Sequence, residues 1–229
     1  SVAEQVEYQS NLENLVQEKE VLLQEVHHRV KNNLAVISGF LQLQELISEH
    51  EESKKVLLSN YMRVKSMALI HEQLYKANDF TGLYFEKFLV RMLEEVEHRF
   101  SDAKKDIELK IISDPIYMNL NQAVPLSLII NELVSNAYNF AFENRDSGTI
   151  RVQLQNLGEQ IILSVEDDGI GLPDDFKFEE SPTLGTTLVM SYSDQLNGDV
   201  QIESKIGTKY ILSFRKKKFD SGSALNIAV

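Results

Sequence analysis

Between residues 12 and 47 the apolar positions recur in alternating steps of four and three. The stripe runs through positions 12, 16, 19, 23, 26, 30, 33, 37, 40, 44 and 47. Eight of these eleven are apolar: Leu12, Val16, Leu23, Val26, Val30, Ile37, Phe40 and Ile47. Lys19, Asn33 and Gln44 interrupt it, and the stretch holds one glycine, Gly39, and no proline. A heptad stripe sustained this long predicts a single long helix with a coiled-coil or bundle seam. The polar run SEHEESKK follows. A second helix is predicted over about 56–76, with Leu57, Tyr61, Val64, Ala68 and Tyr75 on one stripe. Two long helices joined by a short polar loop predict an antiparallel hairpin. One hairpin cannot cover both sides of its apolar stripe, so two copies are expected to build a four-helix bundle.

NDFTG, at 78–82, breaks the helical pattern and reads as a linker. Beyond it the periodicity is mixed. Residues 85–100 read as a helix and 107–112 alternate like a strand. Pro125 suits a first helical turn, and that helix is expected to reach about Phe142. Residues 149–155 and 160–166 read as strands joined by the turn residues NLGE. A loop punctuated by glycine and proline covers 169–183. A helix to about Leu196 and two strands from Val200 and Lys209 complete an α+β pattern with a mostly antiparallel sheet. The expected division is a helical hairpin over 1–80, an α/β sandwich over 81–219 and a loosely attached tail over 220–229.

Composition narrows the possibilities. Of 229 residues, 43 % are hydrophobic and 25 % charged, which suits a folded core. The formal net charge of −12 argues against holding nucleic acid by neutralising phosphates, although one local pocket can still take a nucleotide. The absence of cysteine rules out disulfides and thiolate metal sites and fits a reducing compartment. No apolar run approaches the roughly 20 residues of a membrane span, and no secretory signal is visible. A cytoplasmic location without direct membrane contact is therefore expected. The chain begins inside what reads as a helix, so it is expected to be a fragment of a longer protein.

The polar block EVHHRVKNN at 25–33 sits inside the long helix. With Leu23 at heptad position a and Val26 at d, His27 falls at e and His28 at f. Position f faces away from the seam, so His28 is expected to be an exposed imidazole. The residues alone leave two readings open: a solvated helix face, or a reactive imidazole with a pKa close to neutrality. A metal site is disfavoured, because adjacent helical side chains point about 100° apart.

EVHHRVKNNL resembles the phospho-acceptor box of bacterial sensor histidine kinases, in the subgroup whose histidine is followed by Arg-x-Lys-Asn. The resemblance implies that His28 is the acceptor and that Arg29, Lys31 and Asn32 complete the motif. Arg29 would steady phosphate charge, but arginine is a poor proton acceptor. The group that takes the histidine proton is left open, with Glu25, three residues back, a candidate. Asn32, four residues on, could orient a water.

Four further stretches read weakly one by one. In IINELVSNAYNFAF, Glu132, Asn136 and Asn139 fall at spacings of four and three and would line one helix face. That face offers oxygen ligands for Mg²⁺, or is simply a polar surface. VEDDGIGLP ends a strand in acid and then allows tight turns at Gly169 and Gly171. TLGTTLV places Gly185 at a helix start that could face phosphate. IGTKYILSF is the last. In this order they resemble the ATPase fold (the Bergerat fold) shared by histidine kinases, heat-shock chaperones, type II topoisomerases and mismatch-repair proteins; together with the phospho-acceptor hairpin, the resemblance to histidine kinases covers roughly 12–215.

The resemblance implies that Asn136 coordinates Mg²⁺ and that Glu132 positions or activates the reacting group. It implies that Asp167 accepts from the adenine amino group, with Gly169 and Gly171 passing the base. Gly185 would start a phosphate-facing helix, Thr208 would support Asp167, and 172–183 would form a short mobile lid. Asn139 stands where lysine is common, and Thr186 and Thr187 follow Gly185 where leucine is common. The expected activity is ATP-dependent autophosphorylation of His28 within a homodimer, then transfer to an aspartate of a response-regulator receiver domain. A catalytically weakened dimeric scaffold is the alternative. An ATP-driven clamp is disfavoured, because such proteins lack the HHRVKNN hairpin.

Overall fold

The computed structural model describes residues 2–77, 82–100, 105–143, 145–173, 183–204 and 206–217. Most of the linker at 78–82, most of the lid at 172–183 and the tail at 220–229 lie outside the described residues.

Helix α1 spans Val2–Ile47 and α2 spans Glu51–Ala77. They pack as an antiparallel hairpin, with His27 against His71. α2 starts earlier than the polarity of SEHEESKK suggests. Glu51 and Glu52 occupy its first turn, where the helix dipole favours negative charge. Lys54 Nζ lies 2.6 Å from Glu51 Oε1 and closes that turn. Charged residues here are a helix start rather than a loop.

The long seam divides between two directions. His27, Ser38 and Leu41 turn inward, and Ser38 is buried. Val26, Ile37, Phe40 and Ile47 stay exposed on α1. One helix of this hairpin thus keeps an apolar stripe that nothing among the described residues covers.

The opposite face of α2 enters the core. Tyr61, Met62, Leu69 and Ile70 are buried in one cluster with Phe85, Phe88, Leu89 and Leu93 of α3, Phe85–Phe100. The buried positions of α3 recur at i, i+3, i+4 and i+7, the stripe of a helix lying on a core. Lys65 to Glu95 at 3.9 Å and Arg99 to Glu45 at 3.1 Å ring this contact, and the Arg99 guanidinium covers the Tyr61 ring.

The main sheet has the order β2-β4-β5-β7-β6, from Asp106–Ser113, Ser147–Asn156, Gln160–Asp167, Thr208–Arg215 and Asp199–Ser204. Among the described strands only β2 and β4 pair in parallel. β1, Gly82–Tyr84, and β3, Tyr117–Asn119, form a small antiparallel pair not anticipated from the sequence, because three-residue strands carry little periodicity. Helix α4, Leu120–Asn136, runs into a π-turn, Ala137–Ala141, and α5 spans Leu184–Gln195.

Pro125 lies inside α4 and not in its first turn. The cap is Asn119, whose side chain accepts from the Gln122 N–H at 3.1 Å. An asparagine cap outweighs the preference of proline for the first position. The carbonyl that Pro125 leaves without a helical donor belongs to Asn121, which is exposed to water.

Candidate active site

β5 alternates strictly, with Ile161, Leu163 and Val165 facing the core. Asp167 is the next inward position, so the strand register places a carboxylate at the end of an apolar row. Its Oδ1 accepts from the backbone N–H of Gly169 at 2.9 Å and of Thr208 at 3.2 Å. Burial pushes the Asp167 pKa up, against the pull of the Gly169 and Thr208 amides and the Thr208 hydroxyl; neighbouring Asp168 adds to the rise.

The backbone after Asp167 lies directly on the π-turn. Ile170 N–H donates to the Ala141 carbonyl at 2.9 Å, and a Cβ at Gly169 would stand 2.2 Å from that oxygen. Gly171 has φ +74, and the next amide, Leu172, donates to Ser204 Oγ at 2.7 Å. Three residues here escaped the sequence reading. Gly207, with φ +75, passes so close to Asp167 that a Cβ would meet its carbonyl at 1.9 Å. Ser204 anchors the loop, and Asp168 Oδ1 accepts from the Thr149 N–H at 2.8 Å while its carbonyl accepts from Arg145. Gly207 was legible as the glycine of IGT. Ser204 and Asp168 are unremarkable without the sheet.

A second group forms where α4 meets the start of α5. A Cβ on Gly185 would sit 3.2 Å from Glu132 Oε2 and 3.6 Å from Asn136 Nδ2. Glu132, Asn136 and Gly185 are therefore neighbours, although some 50 residues separate α4 from Gly185 in the chain. Thr183 caps α5: its hydroxyl accepts from Thr186 N–H at 3.1 Å, and Thr186 Oγ1 accepts from Thr183 N–H at 2.9 Å. That reciprocal box gives Thr186 a structural role. Asn139 falls in the π-turn, whose wider pitch rotates it off the line through Glu132 and Asn136 that a regular helix would keep.

Glu132 is 2 % exposed, and its carboxylate is held by a residue from the hairpin. Arg63 Nε donates to Oε1 at 2.5 Å and Nη2 to Oε2 at 2.7 Å; Nη1 donates to Asn60 Oδ1 at 2.6 Å. Arg63 reads in sequence as an ordinary helix-surface cation, 69 positions from its partner. Only the packing of α2 on α4 reveals the pair.

His28 is exposed on α1, one residue beyond the inward-facing His27. The Asn32 amide nitrogen lies 3.4 Å from His28 Nδ1, one turn along. Arg29 Nε donates to Glu25 Oε1 at 2.6 Å, so the Glu25 carboxylate is turned to Arg29. Lys31 is exposed beside them. The structure thus forms three groups: His28 with Arg29, Lys31 and Asn32; Asp167 with Gly169, Gly171 and Thr208; and Glu132 with Asn136 and Gly185.

Residues 25–100 match the family described as histidine kinase, and residues 121–218 match the histidine kinase-, DNA gyrase B- and HSP90-like ATPases. The sensor histidine kinase PdtaS of Mycobacterium tuberculosis is 29 % identical over 184 residues, 80 % of this chain and 36 % of that protein. The blue-light-activated histidine kinase 2 of Erythrobacter litoralis is 28 % identical over 186 residues, 79 % of this chain and 52 % of that protein.

The chain belongs to the histidine kinases.

It spans between about a third and a half of the length of these curated relatives. The fold agrees with a solved structure, the histidine kinase domain of an Erythrobacter litoralis blue-light activated histidine kinase. That likeness has a TM-score of 0.66 at 20 % identity and covers 86 % of this chain and 94 % of that one. The ATPase match implies ATP as the nucleotide of this histidine kinase. No helix among the described residues is long and apolar enough to cross a membrane.

The residues present suit Mg-ATP. Asp167 is a buried acceptor fixed by two amides, fit to read an amino group at a base edge. The Asn136 amide beside the Glu132 carboxylate offers hard oxygen ligands, which Mg²⁺ takes in small number while keeping water. Among the described residues no group of three or more His, Cys, Asp or Glu could hold a metal ion alone.

Proposed function

We propose that this chain is the kinase core of a two-component signalling protein. It binds Mg-ATP between α4, α5 and the end of β5 and phosphorylates its own His28. A ring nitrogen of His28 attacks the γ-phosphorus, the bond to the β–γ bridging oxygen breaks, and ADP leaves. The proton released from the imidazole passes to water or to a nearby acceptor. Bound Mg²⁺ would offset charge on the phosphates. The phosphoryl group then moves from His28 to an aspartate of a response-regulator receiver domain.

The observation that carries this reading is the pairing of an exposed imidazole at His28 with a buried, amide-fixed carboxylate at Asp167. Asp167, Gly169, Gly171 and Thr208 would hold the base. Asn136 would take the metal, and Gly185 would border the phosphates, while the π-turn turns Asn139 off that line. Glu132 would position the reacting group, with Arg29, Lys31 and Asn32 around the acceptor. The exposed stripe of Val26, Ile37, Phe40 and Ile47 supports a homodimer through the hairpin.

The test is labelling with γ-labelled ATP and Mg²⁺, comparing the unaltered chain with His28→Gln, His27→Gln and Asn136→Ala. Acid-labile, alkali-stable label should survive only in the unaltered chain and His27→Gln. Label that follows His27 would move the acceptor. No label and no ATP binding in the unaltered chain would leave the dimeric scaffold as the better reading.

A further inference from the structure

The geometry points to Arg63 as a built-in restraint: it holds the ATP-binding domain on the hairpin in a non-transferring position by occupying Glu132. This inference concerns the regulation of the proposed site and rests on the kinase reading.

Three observations support it. First, Glu132 is withdrawn. Its two carboxylate oxygens both face the fork of Arg63, which is itself only 14 % exposed. A carboxylate in a bidentate pair with guanidinium cannot turn toward another group without losing two charge-assisted bonds. Second, the start of α5 lies directly beside it: one added carbon at Gly185 would lie within 3.2 Å of Glu132 Oε2. Third, the docking level is wrong for transfer within the chain. His71 marks the height of His27 on the antiparallel hairpin, and Arg63 precedes His71 by eight residues. At about 1.5 Å per residue, Arg63 and Glu132 sit roughly 12 Å along the hairpin from the His28 level. The contacts Lys65 to Glu95 and Arg99 to Glu45 hold the same docked arrangement.

The pair also works as a two-state device. In the docked state Glu132 is buried and needs its cation. Once the domain moves away, the carboxylate meets water or the metal and no longer needs Arg63. Removing Arg63 therefore penalises the docked state alone, since it leaves a buried carboxylate unpaired. The population shifts toward the undocked state.

The experiment has two readouts on the full chain. The first is the initial rate of labelling from γ-labelled ATP for the unaltered chain, Arg63→Met and Arg63→Lys. Arg63→Met should label about fivefold faster or more, as expected for coupling of ordinary size between two sites. Arg63→Lys keeps a charge without the fork and should fall between. The second readout does not need activity. The chain has no cysteine, so Glu52→Cys and Leu157→Cys, both at exposed positions, accept spin labels uniquely. Labelled chain is diluted into unlabelled chain, and the distance distribution is measured. It should broaden toward a second population in Arg63→Met.

An unchanged distribution in Arg63→Met overturns the restraint whatever the labelling shows. A broadened distribution with slower labelling also overturns it, and would mean that Arg63 serves the transfer itself. If the unaltered chain binds no ATP and takes no label, the kinase reading fails, while the distance measurement still decides whether Arg63 holds the domains together.

Discussion

The Nδ1 atoms of His27 and His71 lie 3.1 Å apart across the hairpin, one residue from the exposed His28. One ring must donate and the other accept, so the pair holds together only while at least one imidazole is neutral. Burial lowers the pKa of both, and the charge of His27 lowers His71 further. Lys31 and Glu72 line the adjoining groove between the helices.

Both folded values lie below the unfolded value near 6.5, so the neutral pair stabilises the hairpin above that pH. The contribution is lost as pH falls through the folded values. Thermal melts between about pH 7 and about pH 5 should show a steeper loss of stability in the unaltered chain than in His71→Phe. Parallel slopes would mean the pair carries no pH sensitivity.

Asp167 behaves in the opposite sense. Its folded pKa is raised above the usual carboxylate value, chiefly by burial. Its contribution to stability is therefore greatest below the unfolded value and is lost as pH rises through the folded one. Asp167→Asn keeps an Oδ1 acceptor for Gly169 and Thr208 and removes the buried charge. It should melt at or above the temperature of the unaltered chain at neutral pH, with the gap closing in acid, yet bind ATP far more weakly. Calorimetry at two pH values and ATP titration check both halves; intact ATP binding would remove Asp167 from the base site.

Gly207 and Gly158 share positive φ, +75 and +82, but not surroundings. A Cβ at Gly158 meets nothing within 4 Å, whereas one at Gly207 meets the Asp167 carbonyl at 1.9 Å. Gly158→Ala should cost about 1 kcal/mol of left-handed strain. Gly207→Ala should cost about 2 kcal/mol or more beyond that, because backbone must move. Urea unfolding of the two variants gives the comparison, and equal losses would contradict the close approach.

Thr186→Val removes the hydroxyl that answers Thr183 and should destabilise the start of α5 by about 1 kcal/mol. Amide hydrogen exchange should quicken in the first turn of α5 and stay unchanged in β5. A uniform change would mean that the capping box does not act locally.

What the sequence determined by itself was local and periodic. The heptad stripe located α1, and its phase placed His28 outward and His27 at position e, at the flank of the seam. The alternation of β5 ended on Asp167, and the glycines at 169 and 171 marked the turn that follows. Each of these rests on neighbours a few residues away, where helix and strand periods translate directly into direction in space. The errors were local as well: acidic residues at 51 and 52 read as loop although they open α2, and Pro125 outweighed the true cap at Asn119. The tertiary structure alone decided the contacts between distant segments. Arg63 reached Glu132 because α2 lies on α4. Gly185 came within 3.2 Å of Glu132 because α5 begins against the same face. Gly207 shaped the Asp167 turn because β7 pairs with β5. An isolated arginine on a helix surface carries no sign of a partner 69 residues away, since only the packing of two helices sets the distance between their side chains.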